Sequence, residues 1–153
     1  MKTTKKASPA SAGASKKVKK PKASTAPVSH GVGRRKSSVA RVWMRRGKGV
    51  VTVNGKISKE YFDTDFNKSQ LSLPLSLIPK GVAYDFDANV VGGGVNAQAK
   101  AIQLGMSRAL VASDEAMRPI LRKFRLLSVD SRLKERKKYG QRGARRKFQF
   151  VKR

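Results

Sequence analysis

Polar and apolar residues alternate with period two from Arg34 to Arg45. Ser38, Ala40, Val42 and Met44 fall on one side of an extended strand, with Arg35, Ser37, Val39, Arg41, Trp43 and Arg45 on the other. The first side suits a core, and the second suits phosphates. Arg46-Gly47-Lys48-Gly49 then turns the chain into the β-branched run Val50 to Val53, so the pattern predicts a hairpin, and Asn54-Gly55 marks a further tight turn. Val82, Tyr84, Phe86, Ala88 and Val90 alternate with Asp85, Asp87 and Asn89, predicting a half-buried strand that ends at Gly92-Gly93-Gly94. The segment Ser69 to Ile78 stays open on its own pattern, because Leu71, Leu73, Leu75 and Leu77 recur at strand period while Pro74 opposes a central strand.

After the glycines the period changes. Val95, Ala99, Ile102, Met106 and Ala109 are spaced by four, three, four and three residues, the stripe of an amphipathic helix. The small residues Ala101, Gly105 and Ser107 around the stripe allow it to lie close on a sheet. A shorter helix is expected next, with Ser113 as N-cap and Asp114 and Glu115 at the positive end of its dipole. Pro119 lies near its first turn. Met117, Ile120, Leu121 and Phe124 would form its buried face, leaving Arg118, Arg122, Lys123 and Arg125 toward solvent or ligand.

Neither end of the chain carries such periodicity. Residues 1–32 consist largely of Lys, Ala, Ser, Thr and Pro, with Pro9, Pro21 and Pro27 interrupting any helix, and are expected to form a disordered extension. Residues 33–128 are expected to form one globular domain, and residues 129–153 an extended basic tail. Its last eighteen residues, fully extended, would reach roughly 60 Å.

Charge sharpens this division. Met1 to Lys59 hold seventeen basic residues and no acidic one, Glu60 to Glu135 hold ten basic and nine acidic, and Arg136 to Arg153 hold nine basic and none acidic. The net charge of +27 therefore sits at the two ends, flanking a nearly neutral middle, and calls for an anionic partner. The basic ends are poor in Leu, Ile and Trp, which favours nucleic acid over a membrane surface. No run approaches the roughly 18 apolar residues of a membrane span. The absence of cysteine excludes disulfides, thiolate nucleophiles and Cys-based zinc sites. The single histidine, His30, has no second imidazole to share a metal and reads as a linker residue, which leaves neither a metal site nor a Ser-His-Asp hydrolase. No cofactor is expected.

Gly92-Gly93-Gly94-Val95-Asn96-Ala97 imitates a dinucleotide-binding loop, but that fold needs several βαβ units and the chain offers one strand-to-helix passage of the kind. The glycines read instead as a tight turn with close helix packing, whose exposed amides could take an RNA phosphate. In Gly33-Arg34-Arg35-Lys36-Ser37-Ser38, three consecutive cations and two hydroxyls can grip phosphate oxygens. With Arg41, Arg45, Arg46 and Lys48 on the following strand and turn, they are the expected anchors on RNA. Lys147-Phe148-Gln149-Phe150-Val151-Lys152-Arg153 sets two aromatics among cations, able either to stack on unpaired bases or to fill an RNA crevice. A protein coating duplex DNA through both arms would share this charge pattern.

Three segments together, Gly33 to Val42, Gly92 to Leu110 and Val129 to Arg153, resemble the family of the ninth protein of the ribosomal small subunit, in order and with the family's spacing. The resemblance spans about Gly31 to Arg153, and Met1 to His30 has no counterpart in the family's minimal form. It implies a nonenzymatic α+β domain of two layers, a mixed sheet with packed helices and a left-handed βαβ crossover, like the second domain of small-subunit protein five. It also implies that Glu60 to Ile78 is helical despite the leucine alternation. The implied partners are small-subunit rRNA in the subunit head, neighbouring small-subunit proteins and the peptidyl-site tRNA. Arg136, Lys137, Lys138, Arg142, Arg145 and Arg146 would line the RNA path, while Lys152 and Arg153 would approach the tRNA anticodon stem-loop. The implied location is the cytoplasmic ribosome rather than an organellar one.

Overall fold

The computed structural model describes residues 26–79 and 83–151. Its strands are β1 (Ser29–Arg35), β2 (Ser38–Arg46), β3 (Val51–Val53), β4 (Lys56–Ile57) and β5 (Tyr84–Val91). The helices are α1 (Ser58–Tyr61), α2 (Asp65–Ser76), α3 (Val95–Ser113) and α4 (Arg118–Lys123), with a 3-10 turn at Glu115–Met117 before the last. The strands form one mixed sheet in the order β1-β2-β5-β3-β4, antiparallel except for the parallel β3–β5 pair. Helices pack on one face, giving the expected α+β arrangement of a mixed sheet with packed helices.

The alternation on β2 and β5 falls as the sequence reading has it. Ala40, Val42, Met44, Phe86, Ala88 and Val90 are buried, and with Val51 and Val53 they meet Ala99, Ile102, Met106 and Ala109 of α3 in the core. At about 25 cal/mol per Å² of apolar surface removed from water, this face supplies most of the driving force for the two-layer arrangement.

The expected hairpin between β2 and β3 does not form, because β5 lies between them. The cause is Asp85. Its Oδ1 accepts the backbone N–H groups of Lys48, Gly49 and Val50 at 2.8, 2.9 and 2.9 Å, which draws the Gly47–Val50 turn around the start of β5. Val50 in turn accepts from Phe86 N–H at 2.9 Å. The hairpins that do form are β1–β2, turning at Lys36-Ser37, and β3–β4, turning at Asn54-Gly55.

Since β3 and β5 run parallel and adjacent, the chain between them must cross over a face of the sheet, and helical structure fills such a connection. This resolves the leucine-rich segment as α2, as the resemblance implies, with a break at Phe62–Thr64. Asn67, Leu71 and Pro74, spaced by four and three, form its buried stripe, while Leu73, Leu75 and Leu77 are only half-buried.

The strand β1 lies partly inside the segment read as an extension, and His30 belongs to it rather than to a linker, opposite Trp43. Its sequence is poor in large apolar residues because α3 takes their place. A Cβ on Gly33 would meet the Ala101 carbonyl oxygen and stand 2.7 Å from Gly105 N, and one on Gly31 would stand 2.7 Å from Ala109 N. On the helix side, a Cβ on Gly105 would stand 2.7 Å from Val42 Cγ2. Ser29 Oγ donates to Ala109 O and Arg108 Nη1 donates to Val32 O, both at 2.7 Å, clamping helix to strand. At the far end of α3, Asp114 rather than Ser113 caps the 3-10 turn by accepting from Ala116 N–H. Met117 and Leu121 are buried as expected, but Ile120 and Phe124 are exposed, because α4 is too short to lay a second turn of its stripe on the core.

Gly33→Ala is expected to lower unfolding stability by about 3 kcal/mol or more, since the added methyl must displace the α3 backbone. Gly94→Ala, where a Cβ meets nothing within 4 Å, should change it by less than about 1 kcal/mol. Urea unfolding of the two variants checks the contrast.

Candidate nucleic-acid interface

Cross-strand neighbours share a face, so the register of the sheet fixes which cations gather on its outer side. Val32 pairs with Arg41, Arg34 with Val39 and His30 with Trp43, setting Arg34, Arg41 and Trp43 together on the face turned away from α3. Arg34, Lys36, Arg41, Arg46 and Lys48 are all exposed, and none has a carboxylate within ion-pair distance among the described residues. Arg45 lies on the same side but meets Asp87 at 3.6 Å, and Asp87 also accepts from the Thr52 hydroxyl at 3.1 Å. Asp85 and Asp87, read in the sequence as solvent-facing strand residues, thus hold a turn and a neighbouring strand.

Arg35 points the other way. With its side chain 14% exposed, it pairs with Asp130 at 3.0 Å and donates to the Asp130 and Arg132 carbonyl oxygens at 3.2 and 3.0 Å. The expected RNA anchor is used within the protein, fastening the root of the tail to the end of β1. Arg132 grips the same carboxylate through Nε and Nη2 at 3.0 and 2.9 Å. The Arg132 side chain and backbone N–H, with Arg35 behind them, hold the Asp130 carboxyl well below the usual carboxylate range. Nothing in the tail's composition distinguishes Asp130 from a chance acidic residue, and only its spatial partner gives it a role.

Further along, Glu135 binds Arg145 through two contacts of 3.0 and 2.7 Å, and this pairing lowers the Glu135 carboxyl and raises the Arg145 guanidinium. The loop so closed is braced by Arg142 N–H donating to Arg146 O at 2.9 Å, and Arg142 stands 5.3 Å over the Phe148 ring, within cation–π reach. The tail is therefore looped between Glu135 and Arg146 rather than uniformly extended. Arg136, Lys137 and Arg146 are exposed along it, Lys138 is half-buried, and Tyr139 and Phe150 are 94% and 96% exposed. Lys152 and Arg153 lie outside the described residues, as do residues 1–25 of the N-terminal extension.

At the start of α3, Gly92 and Gly93 have φ of 72° and 67°, a left-handed turn in which a Cβ would also stand 2.6 Å from Ser37 O and 2.8 Å from Ser38 Cβ. The glycines thus serve turn geometry and close packing. Among the described residues there is no group of His, Cys, Asp or Glu that could hold a metal ion, and no helix long and apolar enough to cross a membrane.

A packed body presenting unpaired guanidinium and ammonium groups on its surface, with exposed aromatics along its tail, defines a class, the polyanion-binding structural domain. The chain belongs to the family described as ribosomal protein S9/S16, which matches residues 33–153. It is 50% identical over 122 residues to the small ribosomal subunit protein uS9 of Chlorobium chlorochromatii, covering 80% of this chain and 95% of that one. The uS9 protein of Cytophaga hutchinsonii is 49% identical over 126 residues, covering 82% and 98%. The family is a structural component of the ribosome and not an enzyme.

Because Asp130 is held in its charged form, its contacts with Arg35 and Arg132 should be present at neutral pH and lost only as pH falls through its depressed folded value. An NMR titration should show the Asp130 carboxyl still ionised at pH 3, where an unperturbed carboxylate is mostly protonated. Asp130→Ala should speed amide hydrogen exchange at residues 130–132 while leaving the exchange of α3 unchanged.

Proposed function

We propose that the chain is a structural constituent of the small ribosomal subunit that binds rRNA in the subunit head and reaches peptidyl-site tRNA with its C-terminal tail. The observation that carries this reading is the separation of charge. The carboxylates of Asp85, Asp87, Asp130 and Glu135 are engaged within the protein. By contrast, Arg34, Lys36, Arg41, Arg46 and Lys48 on the body, and Arg136, Lys137, Lys138 and Arg146 along the tail, have no carboxylate partner among the described residues.

Arginines spaced along one sheet face match the spacing of backbone phosphates better than a base-reading device, so the body positions itself on RNA shape and charge. The guanidinium groups supply paired N–H donors to phosphate oxygens, and Trp43 offers an apolar surface between them. Arg35, through Asp130, sets the direction in which the tail leaves the body. The tail then carries Arg142, Arg145 and Arg146 into RNA, and Lys152 and Arg153 add positive charge beside the anticodon stem-loop, where the phosphates of two RNAs crowd together. The parallel β3–β5 pair with its helical connection supports a βαβ domain, to which we assign the left-handed crossover of the second domain of small-subunit protein five. Residues 129–153 act as the tail of a domain beginning near Gly33, and the complex works on cytoplasmic ribosomes, in contact with neighbouring small-subunit proteins.

If about ten phosphates are neutralised, the logarithm of the rRNA affinity should fall with the logarithm of salt concentration with a slope of about −9. A slope near zero in filter binding would contradict the charge-based mechanism. Removing Lys152 and Arg153 should weaken peptidyl-site tRNA binding to reconstituted subunits while leaving assembly intact. Unchanged tRNA affinity in that truncation would remove the tail from the tRNA site.

A further inference from the structure

A cleft of about 240 Å³ lies where the end of β1, the helices α2 and α3, the segment after α4 and the root of the tail converge. Arg35, Lys100 and Arg125 line it, and Arg34, set on the outer face near the end of the edge strand β1, borders it as well, with Asp130 the sole carboxylate among its lining residues. That carboxylate is taken by Arg35 and Arg132, whereas Arg34, Lys100 and Arg125 have no carboxylate within ion-pair distance among the described residues. Phe124 also lines the cleft and is 48% exposed.

The backbone makes the arrangement more telling. Arg125 N–H donates to Arg122 O and Leu126 N–H to Leu121 O, each at 3.0 Å, the double bond of a Schellman helix end. Arg125 occupies its left-handed position with φ of 56°, where glycine is the usual residue and a side chain costs stability. Arg125 thus sets a charged side chain beside an exposed ring and two further unpaired cations at a position where the helix end itself would favour glycine.

We infer that this cleft holds a strand of unpaired RNA, with a backbone phosphate on Arg34, Lys100 and Arg125 and one base stacked on Phe124. The inference rests on the rRNA-binding reading above and extends it to the helix side of the domain. Three cations without internal partners argue for a phosphate, and the adjacent exposed ring argues for a base in the same nucleotide segment. Duplex RNA would present its phosphates without an unstacked base to meet the ring.

The test uses the full chain and transcribed small-subunit rRNA, with affinity measured across a salt series. Arg125→Gly should weaken binding several-fold and make the salt slope shallower by about 1, while its thermal midpoint stays equal to or above that of the unsubstituted protein. Arg125→Lys should recover the slope. Phe124→Ala should weaken binding roughly 5- to 100-fold with the slope unchanged. Normal affinity and slope in both Arg125→Gly and Phe124→Ala, with the unsubstituted chain still binding rRNA, would overturn the cleft alone. Failure of the unsubstituted chain to bind rRNA would overturn the broader reading along with it. Variants that bind naked rRNA normally yet fail to join reconstituted subunits would assign the cleft to a protein neighbour and overturn the RNA site.

Discussion

The structure depends on the close seating of α3 on β1. Two backbones can approach so near only where side chains are missing, and Gly31, Gly33 and Gly105 remove them on both sides of the contact. The Ser29 hydroxyl and the Arg108 guanidinium then reach across to carbonyls of the opposite element, so the polar groups at this seam are satisfied rather than stranded. With β1 held flat under the helix, the hairpin turn at Lys36-Ser37 and the cations at the end of the strand take fixed positions. Arg35 passes that order on to the tail through Asp130. A displacement of α3 would therefore be felt at the core, at the outer sheet face and at the point where the tail departs.

Electrostatics works around this rigid centre by using acidic residues as structural ties and leaving cations for a partner. Asp85 organises a turn, Asp87 joins Arg45 and Thr52, Asp130 fixes the tail root, and Glu135 closes a loop in the tail. The surrounding positive charge has no internal outlet. In water it opposes compaction of the ends, and against RNA it becomes the source of affinity through released counterions.

The period-two runs of β2 and β5 and the helical stripe of α3 could be read directly from the chain, because a half-buried element prints its environment on every second or every third and fourth residue. Three features could not. The strand β1 carries glycines where a reader looks for branched residues, and their purpose appears only once a helix backbone lies against them. The pairing of β2 with β5, completed by Asp85 reaching the Gly47–Val50 turn, joins positions more than thirty residues apart that no local pattern links. The leucines of α2 alternate by coincidence with Ser and Pro, and the parallel β3–β5 pair, which is a property of topology, decides in favour of a helix. Among the expected anchors, the alternation set Arg35 beside Arg41 on one strand, but the hairpin turn at Lys36-Ser37 breaks that strand in two, so that Arg34 shares the outer face with Arg41 and Arg35 turns inward to Asp130.

The central claim is that the outer sheet face, with Arg34 and Arg41 around Trp43, lies against RNA. The chain contains one tryptophan, so its emission reports on that face alone. Titration of the full chain with small-subunit rRNA should change Trp43 fluorescence saturably, in step with binding, and added salt should reverse the change. Emission that stays constant while the rRNA is demonstrably bound would mean that the RNA sits elsewhere and would contradict the account.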